Sequence, residues 1–148
     1  DLSTVAQEVW ELYEPLAEDK GLQTEARVTP GLQILGDRNL IAQVLSNLLD
    51  NAIKYCAPGD RLTLTLAPDA DRILMRVADT GPGLPDALKP EAFDRFTRAE
   101  RDRATPGHGL GLALVRAIAA RHGARLTLPE TPKGFALEIR WPRLQQSD

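Results

Sequence analysis

From Arg38 to Tyr55 the apolar residues come in neighbouring pairs four positions apart: Leu40–Ile41, Val44–Leu45, Leu48–Leu49 and Ala52–Ile53. That repeat is the signature of a helix with a broad apolar face, and Asp37 stands where an N-cap is needed. Pro58-Gly59-Asp60 ends the helix in a turn. A face this wide has to be buried against something equally wide. The next residues supply it, because Arg61–Ala67 and Arg72–Ala78 alternate apolar and polar side chains about the turn-forming Pro68–Asp71, as an antiparallel pair with one buried face does. Elsewhere Val5, Val9, Leu12 and Leu16 predict a helix from Leu2 to about Ala17. Two short strands are expected near Leu22–Val28 and Leu32–Leu35, set off by Gly21 and Pro30-Gly31. A third helix is expected over Gly109–His122, ended by Gly123, with strands at Leu126–Leu128 and Phe135–Trp141. The order predicts an α+β fold: a two-layer sandwich with three main helices on one face of a mixed, mainly antiparallel sheet.

Composition narrows the function classes. At 148 residues, 43% of them hydrophobic, the chain is expected to form one domain, residues 1–148, around one core. A formal net charge of -3 gives no electrostatic case for nucleic acid or an anionic membrane as a partner. Cys56 stands alone and cannot form an internal disulfide, which reads as an intracellular chain. Asp1-Leu2-Ser3 begins no leader peptide, and Arg116 interrupts the longest apolar run, Leu110–Ala120. A soluble, cytoplasmic chain without direct membrane contact is the expectation.

Three sets of residues are candidates for chemistry. At about 100° per residue, Asn47, Asn51 and Lys54 lie within about 60° of one another on the second helix. Asparagine is a poor helix former, so two of them beside an apolar stripe call for a reason. An amide oxygen is a hard ligand suited to Mg²⁺, and Lys54 is in position to meet a phosphate. The polar edge of an amphipathic helix would look the same. The second set, Asp79-Thr80-Gly81-Pro82-Gly83, follows a strand. Its carboxylate can accept from an exocyclic amine while Gly81 and Gly83 leave bare backbone for a flat ring, although a plain β-turn uses the same residues. The third set is Gly107-His108-Gly109-Leu110-Gly111-Leu112, where glycines open a helix and expose N–H groups to an anion. No Walker Lys-Ser/Thr follows, and no strand precedes as a dinucleotide loop requires. Between the last two sets the segment is irregular, charged and broken by Pro85, Pro90 and Pro106. Phe93 and Phe96 are candidate anchors there, and Arg98 is the arginine to aim at phosphate. His108 and His122 lack metal-ligand companions. His122 reads as a structural residue at a helix end, Trp10 and Trp141 as packing residues, and Cys56 as a thiol without a base partner.

In order and spacing these sets resemble the ATP-binding catalytic domain of sensor histidine kinases, in the Bergerat-fold superfamily that also holds gyrase-type ATPases, MutL proteins and a heat-shock chaperone. Asn47–Tyr55 is similar to the family's N box, Asp79–Leu84 to its first glycine box, Phe93–Phe96 to its F box and Gly107–Leu112 to its second glycine box. The resemblance implies roles. Asn51 would ligate Mg²⁺, with Asn47 supporting metal and phosphates and Lys54 and Tyr55 lining the site. Asp79 would take the adenine amine beside Gly81 and Gly83. Residues 94–108 would form a lid over ATP with Arg98 near the γ-phosphate, and Gly109 and Gly111 would hold phosphates through their N–H groups.

The resemblance also implies partners: a dimerisation domain carrying the phosphoacceptor histidine, absent from this chain, and a response regulator receiver domain. The fragment would be monomeric alone and dimeric in its parent, for which the resemblance allows an anchor in the inner membrane. In the superfamily's water-activating ATPases the residue four before the metal-binding Asn is a Glu. Here it is Asn47, which cannot take a proton at neutral pH, and this favours transfer to an acceptor over hydrolysis. Where many members read Gly-Thr, the chain has Gly134-Phe135. A catalytically silent nucleotide-sensing module of the same fold and a gyrase- or MutL-type ATPase are the alternatives.

Overall fold

The computed structural model describes residues 1–81, 108–129 and 134–143. They form helix α1 (Leu2–Asp19), strand β1 (Gln23–Val28), helix α2 (Arg38–Tyr55), strands β2 (Arg61–Asp69) and β3 (Arg72–Asp79), helix α3 (His108–Arg121), and strands β4 (Arg125–Thr127) and β5 (Phe135–Pro142). The strands make one five-stranded sheet in the order β1-β2-β3-β5-β4. β1 runs parallel to β2, and every other neighbouring pair is antiparallel. Two parallel neighbours need a crossover, and α2 provides it between β1 and β2.

Alternation along the central strands decides which face is covered. Leu62, Leu64 and Leu66 of β2, Ile73, Met75 and Val77 of β3, and Leu137, Ile139 and Trp141 of β5 are all buried in one core. The helices lie over that face with α2 in the middle, in contact with both α1 and α3. Its buried residues are Ile41, Val44, Leu45, Leu48, Leu49 and Ala52, nearly the stripe expected from its repeat. The predicted two-layer α+β sandwich is therefore the fold.

Two local expectations fail. Leu32–Leu35 is not a strand. The Leu32 carbonyl accepts from the N–H groups of Leu2 and Ser3, and the Leu32 N–H donates to Ser3 Oγ at 3.0 Å, so this backbone serves the first turn of α1 instead of a neighbouring strand. On α1 the core contacts come from Leu2, Val5, Ala6, Val9, Trp10 and Ala17, while Leu12 and Leu16 are 70% and 54% exposed. Leu12 and Leu16 lie on the flank that also carries Val5. Val5 shares a small cavity with Ile34 and Ile41 near the start of the helix. Among the described residues no helix is long and apolar enough to cross a membrane.

Candidate functional site

α2 is pinned at both ends. At its start the Asp37 carboxylate accepts from Asn39 N and Leu40 N at 2.9 and 3.1 Å, which answers two of the orphan donors of a first turn. Near its end the Lys20 ammonium donates to the carbonyls of Ile53 and Lys54, a cation at the negative end of the helix dipole. Between these caps Asn47 and Asn51 are half-buried on the later turns, and Lys54 and Tyr55 are exposed.

His122 fixes the direction of α3 against α2. Its Nε2 accepts the Asp37 N–H at 3.1 Å, and its Nδ1 lies 2.8 Å from the Ile118 carbonyl, so Nδ1 carries the proton. The ring also meets Trp141 edge-on, with centroids 5.6 Å apart. The C-terminal end of α3 is thus joined to the N-terminal end of α2. Two packed helices so joined run antiparallel, and at 1.5 Å per residue they extend about 21 and 27 Å. The first turn of α3, with Gly109 and Gly111, accordingly points toward the half of α2 that carries Asn47 and Asn51. Its N–H groups have no acceptor within the helix and sit at the positive end of the dipole.

Asp79 ends β3 opposite Phe135 of β5. Its carboxylate accepts the Gly81 N–H at 3.0 Å. Burial pushes the Asp79 pKa up, the Gly81 hydrogen bond opposes that shift, and the nearby Asp60 charge adds to it. Thr80 is occupied structurally: its Oγ1 accepts the Arg61 N–H at 2.8 Å and its N–H donates to the Arg61 carbonyl.

The glycines of this corner are required by close approach. A Cβ on Gly81 would lie 3.0 Å from Cys56 Sγ, 3.2 Å from Asp60 Oδ2 and 3.3 Å from Asp79 Oδ1. Gly134, at φ +88, passes so near β3 that a Cβ would stand 1.9 Å from the Asp79 carbonyl oxygen. In the sequence Gly81 reads as backbone bared to a ring; in the fold its bare Cα also makes room for three side chains behind it. Cys56, which the sequence left without a partner, is one of the three. Gly83, Phe93, Phe96, Arg98 and Gly107 fall outside the described residues, as do residues 94–107 of the expected lid. The same holds for the side chains of His108, Leu110 and Leu112.

Among the described residues no cluster of three or more His, Cys, Asp and Glu side chains is set to hold a metal ion. A cation here would draw on an amide oxygen such as that of Asn51 together with oxygens of its ligand, which suits Mg²⁺, an ion that commonly keeps waters and bridges to phosphate.

Residues 36–145 match the model of the histidine kinase-, DNA gyrase B-, and HSP90-like ATPase family. The chain belongs to this family. That ATPase family has an ATP-binding fold, and the match takes in α2, the sheet from β2 onward and α3. Among curated relatives, the signal transduction histidine-protein kinase/phosphatase MprB of Mycobacterium sp. (strain KMS) is 41% identical over 105 residues, 70% of this chain and 20% of its own length. The chain therefore spans about a fifth of that relative. A solved structure of the mycobacterial sensor histidine kinase MprB matches with a TM-score of 0.80 and 32% identity, covering 97% of this chain and 96% of that one. Full-length ShkA, solved in complex with AMPPNP, matches with a TM-score of 0.81 and 28% identity over 100% of this chain and 31% of its own. Within the ATPase family the likeness is thus to the catalytic domains of histidine kinases.

Proposed function

We propose that residues 1–148 are one catalytic domain of a sensor histidine kinase, which binds Mg-ATP and transfers the γ-phosphoryl group to a histidine on a separate dimerisation domain. The observation that carries the reading is the meeting, at one end of the helix layer, of the later turns of α2, the first turn of α3 and the carboxylate that ends β3. The AMPPNP complex of the ShkA relative supports an adenine nucleotide as the ligand.

In this reading Asp79 accepts from the adenine amine beside Gly81 and Gly83. Asn51 holds Mg²⁺, which neutralises phosphate charge when bound. Asn47, Lys54, Tyr55 and the N–H groups of Gly109 and Gly111 surround the phosphates, with Phe93, Phe96, Gly107, His108, Leu110 and Leu112 completing the pocket and Arg98 facing the γ-phosphate. The acceptor imidazole nitrogen bonds to the γ-phosphorus as the bond from that phosphorus to the β,γ-bridging oxygen breaks, and ADP leaves with the electron pair. Such a transfer needs positioning and charge neutralisation more than a nucleophile from the catalytic domain. Asn47 cannot act as a general base toward water, so the site favours an outside acceptor. The phosphoryl group then passes to a response regulator receiver domain. The parent kinase is a dimer with this domain in the cytoplasm.

The test mixes the chain with radiolabelled ATP, Mg²⁺ and an intact cognate histidine domain. Acid-labile label on the histidine domain is expected, with little phosphate released to water. Nucleotide binding without any transfer would instead identify a silent sensing module, and steady phosphate release by the chain alone would identify a hydrolase.

A further inference from the structure

Helix α1 keeps part of its apolar surface and much of its charge where they do nothing for the fold. Leu12 and Leu16 are one turn apart and stay 70% and 54% exposed. Between them Pro15 is exposed as well, and with no N–H of its own it leaves the Glu11 carbonyl without a donor from the helix. At about 100° per residue, Leu12, Leu16, Pro15 and Asp19 fall within about 100° of one another, with Glu11 and Glu18 along one margin. Over Leu2–Asp19 the helix holds Glu8, Glu11, Glu14, Glu18 and Asp19 and not one lysine or arginine.

Three of these acids have partners within the fold. Glu8 accepts from Arg38, Glu11 from Gln7 Nε2 at 3.3 Å and Glu14 from Trp10 Nε1 at 3.2 Å. Glu18 and Asp19 have none among the described residues. They stand in the last turn, at the negative end of the helix dipole, where a carboxylate is unfavourable. Lys20, next in the chain, is turned away to the carbonyls of Ile53 and Lys54. Solvated leucines and acids at the wrong end of a helix add nothing to the stability of this chain. They call for something outside it.

We propose that this flank of α1 is a docking surface for a basic amphipathic helix of a partner protein. The partner's apolar residues cover Leu12, Leu16 and Pro15, and its lysines and arginines meet Glu11, Glu18 and Asp19. That chemistry answers both features at once, because apolar area leaves water and cations neutralise the last turn. An anionic membrane would be repelled by the same acids. A second copy of the chain offers no such helix: α1 is acidic, and α2 and α3 turn apolar sides into the core. The surface stands apart from the nucleotide reading, since none of its residues belongs to the candidate site and α1 meets that site only through its packing on α2.

The experiment is fluorescence anisotropy of a labelled helical peptide of leucine and lysine, its leucines on one face, titrated with the full chain. The same peptide with glutamate for lysine is the control, and only the lysine peptide is expected to bind. Leu12→Ser combined with Leu16→Ser should weaken that binding at least about tenfold and leave the melting temperature within about 2 °C, because both side chains are exposed. Glu18→Lys combined with Asp19→Lys should weaken it about 3- to 10-fold and raise the melting temperature, since the helix end gains cations. A lysine peptide that does not bind overturns the proposal. So does binding that survives the two serines, the mark of charge attraction alone, or a larger fall in their melting temperature, the mark of packing residues. Self-association of the wild-type chain in sedimentation that the serines abolish would make the face an interface between copies, and binding to anionic vesicles that they abolish would make it a membrane contact; either overturns the proposal.

Discussion

At the scale of single residues, Asp79 sets function against stability. Its pKa is raised in the folded chain, so folding favours the protonated form. The ionised side chain therefore costs stability above the folded pKa, and that cost is relieved as pH falls through it. Nucleotide binding has the opposite slope, because a protonated carboxyl loses acceptor capacity, and it should decline at a higher pH than an ordinary aspartate would give. Asp79→Asn is expected to weaken ATP binding at least tenfold, by about 1.4 kcal/mol or more, with no loss of thermal stability at neutral pH. Thermal melts and titrations at several pH values measure both. A melting temperature that drops with the substitution would contradict the burial cost. For Asn51, replacement by Ala should reduce transfer to a histidine domain at least about a hundredfold while circular dichroism stays that of the wild type. Unaltered transfer would remove Asn51 from the metal site. The two residues were legible to different depths. Asn51 announces itself by a polar type at helical spacing. The neighbours of Asp79 do not, because Cys56 and Phe135 stand near it only once α2 and β5 lie beside β3.

The elements were the most legible level, and the reason is periodicity. α2, β2, β3 and β5 have a buried face long enough to write its period into the chain, and their limits fall within about two residues of expectation. Leu32–Leu35 carries no such information. A four-residue apolar run does not say whether its backbone will pair with a strand or, as here, with the first turn of α1. Leu12 and Leu16 misled for a related reason: spacing assigns a flank to a helix but not the length over which something covers it. Two further predictions belong at this level. His122→Ala removes the acceptor of the Asp37 N–H and the edge contact to Trp141, and should cost about 1–3 kcal/mol in denaturant unfolding. Gly134→Ala sets a Cβ against the β3 backbone at a left-handed φ, and should cost more than about 3 kcal/mol. A Gly134→Ala chain as stable as wild type would show that β5 can shift to admit the methyl.

For the molecule as a whole, the first turn of α3, the later turns of α2 and the turn after β3 lie at one end of the sandwich, so a ligand there ties separate elements together. Mg-ATP at about a hundred times its dissociation constant should add about 2.7 kcal/mol and raise the melting temperature by roughly 5–10 °C. The Asp79→Asn and Asn51→Ala chains should show less of that rise. The same corner contains a built-in clock. Cys56 is the single cysteine, it is buried, and its thiolate is suppressed by a pKa pushed up to about 12. At pH 8.5 that alone slows alkylation by about three orders of magnitude relative to an ordinary thiol. Labelling then proceeds through moments when α2 and β3 part, and its rate counts those openings directly. With no probe engineered into the chain, the reagent reads how often this end of the sandwich breathes and how firmly a bound nucleotide keeps it shut.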